Sequence, residues 1–111
     1  MFQIKSRIWV EGSKGIFLGE GRIQLLKAIE REGSLSKAAK SMKMSYKKAW
    51  NLVDAINKSA PQAIVTKSTG GSGGGGTELT PYGKQKISDF ETMKQRCWDF
   101  IDQQNKEFNS L

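Results

Sequence analysis

Along residues 2–10 apolar and polar side chains alternate. Phe2, Ile4, Ile8 and Val10 share one face with Ser6 between them, and Gln3, Lys5, Arg7 and Trp9 take the other. A period of two predicts a strand. "EGSKG" supplies a turn and "IFL" a short return, so residues 2–18 read as an N-terminal β-hairpin. The period then lengthens. Ile23, Leu25, Leu26 and Ile29 form a helical stripe ended by Gly33, and Leu35, Ala38, Ala39 and Met42 form a second one behind the N-cap Ser34. Ser45 caps a third helix with its stripe on Ala49, Leu52, Val53 and Ile56, closed by Pro61. Thr80 and Pro81 then open a long helix as an N-cap and first-turn pair. Ile87, Phe90, Met93, Cys97, Ile101 and Phe108 form its apolar line, widened by Trp98 and Phe100. From Tyr82 to Phe108 the helix runs about 40 Å at 1.5 Å per residue. A small core cannot cover that length, so part of the stripe is expected to meet another chain.

Only Met42-Lys43-Met44 separates the second and third helices. Two short helices joined by so tight a turn, the later one capped by Ser and flanked by lysines, describe a helix-turn-helix over residues 34–58. With Ala49, Leu52, Val53 and Ile56 turned inward, the opposite line of the third helix is Lys47, Asn51, Asp54 and Lys58, with Lys48 and Trp50 on its flanks. Lysine suits the O6 and N7 acceptors of guanine, and asparagine can pair bidentately with adenine. Asp54 is expected outside the groove or holding a neighbouring lysine. Tyr46 falls near the core edge, where packed and exposed positions are both open, and Trp50 is expected to pack at the boundary.

Residues 70–76 hold six glycines and Ser72. As a tether, this run would leave "QAIVTK" and "TELT" as strand-like pieces without partners. Paired with each other, those pieces make the glycines the tip of a hairpin directly after the recognition helix, which is a wing over residues 62–80. Glycine lets the backbone approach phosphate or groove with no Cβ in the way. Lys67 and Ser72 are its side-chain donors beside the hydroxyls of Ser68 and Thr69.

Charge sharpens this picture. Residues 1–60 hold 12 Lys and Arg against 5 Asp and Glu, whereas residues 61–111 hold 6 of each, so the whole net charge of +7 lies in the first half. A basic half suits a polyanion, and it equally suits solubility. Within residues 34–58, six lysines face the single acid Asp54, which favours the polyanion. At 111 residues there is room for one small domain with an appendage. The division expected is a winged helix-turn-helix over residues 1–80 and a dimerisation helix over 81–111. No apolar stretch approaches the roughly 20 residues of a membrane span, and residues 1–12 carry Lys5 and Arg7 inside their apolar pattern instead of a signal peptide's uninterrupted apolar centre. With the single Cys97 unable to form an internal disulfide, the expected compartment is the cytoplasm.

Catalysis finds little support. The chain has no histidine, the commonest general base and zinc ligand. Cys97 sits in an apolar stripe without a base in reach. "GGSGGGGT" lacks the Gly-Lys-Ser/Thr ending of a phosphate-binding loop. Glu30 and Glu32 point apart on one helix, and Met42 and Met44 read as core filler. Neither a metal nor a cofactor is expected.

"GSLSKAAKSMKMSYKKAW", "STGGSGGGGTELTPYGKQKI" and the preceding "GRIQLLKAIE" resemble the DNA-binding domain of molybdate-responsive transcription regulators of the ModE type, over roughly residues 19–90. More distantly the chain resembles the N-terminal domain of LysR-type regulators. The resemblance implies a dimer joined through the long C-terminal helix, with two recognition helices in successive major grooves of double-stranded DNA. It carries DNA contacts onto Ser45, Tyr46 and Lys47, and onto the wing from Gly70 through Gly76. Two departures stand out. ModE-type regulators continue into small β-rich oxyanion-binding domains, while this chain ends at Leu111 as a short or shortened form, so an oxyanion effector is expected only through a domain absent from it. The turn, where such motifs often place glycine, has Lys43. Left-handed geometry there costs about 1–2 kcal/mol for a non-glycine residue. Either the turn differs, or a charge near phosphate offsets the strain.

The expected architecture is thus α+β, a winged helix-turn-helix with an N-terminal hairpin and a long C-terminal helix, acting as a dimeric transcription regulator. The candidate DNA-binding residues are Ser34, Lys37, Lys40, Lys43, Ser45, Tyr46, Lys47, Lys48, Asn51, Gly70, Gly71, Ser72, Gly73, Gly74, Gly75 and Gly76. Lys47 and Asn51 are expected to read bases, and Lys37, Lys40, Lys43, Lys48 and the wing to hold phosphates. Ile87, Phe90, Met93, Cys97, Ile101 and Phe108 are the candidate dimer contacts. The rival is a winged-helix protein-interaction module working through its apolar long helix without DNA. A third reading is a small oxyanion sensor.

Overall fold

The computed structural model describes residues 1–68 and 76–110. In chain order they form β1 (Val10–Gly12), β2 (Gly15–Leu18), α1 (Glu20–Glu32), α2 (Leu35–Ser41), α3 (Tyr46–Ser59), β3 (Val65–Ser68), β4 (Gly76–Leu79) and α4 (Pro81–Ser110). β1 pairs antiparallel with β2, and β3 with β4, as two separate two-stranded sheets. Local signals set the helix ends. Gly33 takes φ 67°, and its N–H donates to the Ile29 carbonyl, which ends α1. The Thr80 hydroxyl accepts from the Gly83 N–H at 2.9 Å, and Pro81 follows as the first helical residue.

The three short helices bury the stripes their spacing predicts, except that Met42 and Leu52 are half-buried against the core. Ile23, Leu25, Leu26, Ile29, Ala38, Ala49 and Ile56 are wholly inaccessible, and Leu18, Leu35, Val53, Ile64, Val65 and Leu79 complete the centre. Strand register agrees with this core: Val65 opposes Leu79, and both point inward. Two ion pairs bridge α1 and α4, Lys27 with Glu91 at 2.5 Å and Glu20 with Lys94 at 2.8 Å.

Two expectations change. The N-terminal hairpin spans residues 10–18 rather than 2–18, because its return strand is only four residues long and leaves residues 2–9 without a strand partner. Those residues instead reach the far end of α4. The Phe2 and Ile4 N–H groups donate to the side-chain oxygens of Asn109 and Asn105, and the Phe2 and Phe108 rings meet edge to face at 5.7 Å. Second, Ile87 and Phe90 lie inside the chain's own core, at 7% and 3% exposure, and so cannot serve as dimer contacts. The first turns of α4 complete the domain. Beyond Met93, which packs against the core edge, no described residue of α4 is buried. The remainder projects, and the molecule measures 62 × 29 × 22 Å.

Candidate nucleic-acid interface

The helix-turn-helix is built by two serine caps and one left-handed residue. Ser34 Oγ accepts from the Lys37 N–H at 3.2 Å, and Ser45 Oγ from the Lys48 N–H at 3.1 Å. Between them the Met42, Lys43 and Met44 N–H groups fold back onto carbonyls of α2. Lys43 takes φ 56°, the only positive φ of a non-glycine residue among the described residues. The turn therefore keeps the geometry that glycine usually supplies, and a lysine bears its cost.

The outward face of this unit is open and cationic. Lys37, Lys40, Lys43, Lys47, Lys48 and Asn51 are all exposed. Among the described residues, none of those five lysines has a salt-bridge partner. Asp54 is held by Lys58 at 2.8 Å, one turn along α3, so its charge is matched locally. Tyr46 is 56% exposed and belongs to the open face. Trp50, expected to pack at the boundary, stands 50% exposed on the flank of α3. Ser45 leaves the N-terminal end of α3 on this surface, adding the positive end of the helix dipole to the lysine charges.

The wing's strands form as expected, Val65–Ser68 against Gly76–Leu79. Gly70, Gly71, Ser72, Gly73, Gly74 and Gly75 lie outside the described residues. Gly76 pairs with Ser68 at the loop end of the wing's described ladder and lies against the end of α1 rather than on an outward surface. A Cβ there would stand 2.9 Å from the Gly33 carbonyl oxygen and 2.5 Å from Ser68 Oγ, while the neighbouring Thr77 N–H donates to that Gly33 carbonyl. Its lack of a side chain serves packing against the end of α1.

One residue of this region escaped the sequence reading. Asn57, on the flank of α3, binds the backbone of Ile64 and Val65 through three hydrogen bonds. Its signal is an asparagine inside a helix, where propensity disfavours it and a partner has to be sought.

Elsewhere, Met93, Cys97 and Ile101 are half-buried, Phe100 is 65% and Phe108 55% exposed, and an apolar cleft between Ser6, Ile8, Cys97, Phe100 and Ile101 runs along α4. No cluster of His, Cys, Asp or Glu among the described residues could hold a metal ion, and no described helix is long and apolar enough to cross a membrane.

Comparison with known proteins agrees with this geometry. The bacterial regulatory helix-turn-helix protein, lysR family, matches residues 21–84. The molybdenum transport protein ModE of Azotobacter vinelandii is 37% identical over 106 residues, covering 96% of this chain and 39% of that protein. The DNA-binding transcriptional dual regulator ModE of Escherichia coli K12 is 37% identical over 100 residues, covering 86% of this chain and 38% of its own length. The chain thus spans about two fifths of the length of these relatives. Among solved structures, a chain in the crystal structure of a CbnR_DBD–DNA complex superposes with a TM-score of 0.57 over 78% of this chain and 94% of that one, at 17% identity, a likeness of fold. Matched over more than half of its length, the chain belongs to the bacterial regulatory helix-turn-helix proteins of the lysR family, with ModE regulators among its relatives.

Proposed function

We propose that the chain binds double-stranded DNA as the reading head of a dimeric cytoplasmic transcription regulator, with α3 in the major groove and the wing against the flanking backbone. The observation that carries this reading is the open ridge of Lys47 and Asn51 on α3, with four further exposed lysines on the helix-turn-helix that have no salt-bridge partner among the described residues. Lys47 and Asn51 read base edges from the N-terminal half of α3, where recognition helices make such contacts. Lys37, Lys40, Lys43 and Lys48 neutralise phosphates. The reading is supported by the family and by the regulators named among the relatives. The role is non-enzymatic, and an oxyanion effector acts, if at all, through residues outside this chain.

Dimerisation uses the part of α4 that the core leaves bare: Cys97, Phe100, Ile101 and Phe108, with Met93 at its edge. A dimer places two copies of α3 about 34–36 Å apart on one face of the duplex.

Replacing Lys47 by Ala tests the assignment. Binding to a preferred duplex falls by about 1–3 kcal/mol, while binding to random duplex changes much less. Equal losses on both would move Lys47 to the phosphate backbone. The affinity of the wild-type chain falls with salt at a slope near −0.9 per phosphate neutralised. A flat salt dependence would contradict a lysine-driven interface and favour the protein-interaction reading.

A further inference from the structure

Among the described residues, the side-chain hydrogen bonds that tie the wing root to the recognition helix all come from Asn57. Asn57 Oδ1 accepts from the Ile64 N–H at 2.8 Å and from the Val65 N–H at 3.0 Å, and Nδ2 donates to the Val65 carbonyl at 3.0 Å. Both backbone polar groups of the first wing residue thus end on one amide of α3. The covalent route between them is the loop through Pro61, which runs from Ser59 to Val65. The opposite side of this root is also fixed, because the Ile64 carbonyl accepts from the Thr80 N–H at 2.9 Å. Helix propensity gives no reason for asparagine at residue 57, since alanine or leucine would hold α3 better.

We propose that Asn57 is a positioning residue that sets the wing strands against the recognition helix, so that Lys67, two residues along β3 from Val65 and exposed, meets the duplex beside the groove that α3 occupies. This inference rests on the DNA-binding reading and adds to it a pre-organised second contact. With the root fixed, the wing loses less freedom on binding than it would on a loop alone. A helix-stabilising residue would behave otherwise, affecting the fold without acting through Lys67.

The test is a double-mutant cycle on a duplex that the wild-type chain prefers, read as affinity at several salt concentrations. Lys67→Ala is expected to lower the salt slope by about one. Asn57→Ala is expected to lower it by a similar amount, and Asn57→Ala with Lys67→Ala to bind no worse than Lys67→Ala alone. An unchanged slope for Asn57→Ala, or losses that add in the double variant, would overturn the assignment while leaving DNA binding intact. A wild-type chain that binds no duplex would overturn the DNA reading and this one with it. Circular dichroism at the assay temperature checks the fold. If Asn57→Ala has melted there, Asn57→Gln, with the same groups on a stem one methylene longer, takes its place in the cycle with the same expectations.

Discussion

Gly83, in the first turn of α4, lies directly against the Ile64 carbonyl, with no room for a Cβ between them. Substituting Ala inside an ordinary helix stabilises it by about 0.5–1 kcal/mol. Here the added methyl meets backbone, which cannot rotate away, and overpacking of this kind costs about 1–3 kcal/mol. Gly83→Ala should therefore lower stability and shift the thermal midpoint down by several degrees. An unchanged or raised midpoint would mean that α4 docks less closely than described.

At Lys43, stability and the proposed phosphate contact are expected to respond to one substitution with opposite signs. Its φ of 56° costs a non-glycine residue about 1–2 kcal/mol. Glycine removes that strain and gives back about 0.5–1 kcal/mol in unfolded-state freedom. Lys43→Gly is thus expected to stabilise the fold modestly in chemical denaturation, while weakening DNA binding and reducing its salt slope. A variant more stable and equally tight would remove Lys43 from the interface.

Acid loosens one link between α1 and α4. The Lys94 ammonium, through a charge-assisted hydrogen bond, and then the Gln24 amide hold the Glu20 carboxyl below its ordinary 4.5. A carboxyl lowered on folding contributes stability above its unfolded value, and that contribution is lost as pH falls through the folded value. Glu20 is 59% exposed, so the contribution at neutral pH is about 0.2–1 kcal/mol. Melting Glu20→Gln beside the wild type should show a small gap that is constant from pH 7 to about 4.5 and closes below. A gap that widens in acid would contradict the pairing.

Phe100 stands on the bare end of α4, away from the core. Sedimentation velocity is expected to show the wild-type chain as a dimer and Phe100→Glu as a monomer at the same concentration, with the helical spectrum and melting of the globular part little changed. A dimer that survives this charge would place the seam elsewhere.

How far the fold was legible follows from the range of each interaction. Ser34, Gly33, Ser45 and the Thr80–Pro81 pair act within one helical turn, so residue type alone located the helix ends. The left-handed turn at Lys43 was not legible, because a lysine there fits a different turn as well, and only its φ of 56° decides between the two. The partner of residues 2–9 was not, because alternation marks an amphipathic segment without saying whether a strand or the flank of α4 covers it. Ile87 and Phe90 share a stripe with Ile101, and periodicity cannot tell where core ends and open surface begins. Asn57 and Gly76 depend on contacts with β3 and with the end of α1: an asparagine inside a helix says that a partner is to be sought, but no local pattern says which. The lysine ridge was readable from the helical wheel. Its freedom from acidic partners needed the coordinates.

Selection of bound duplexes from a random library by the wild-type chain decides whether α3 reads the major groove. An inverted repeat with half-site centres one helical turn or a multiple of it apart should be enriched, and that enrichment should be lost on replacing Lys47 and Asn51 by Ala. A selected pool indistinguishable from the starting library would contradict that role of α3.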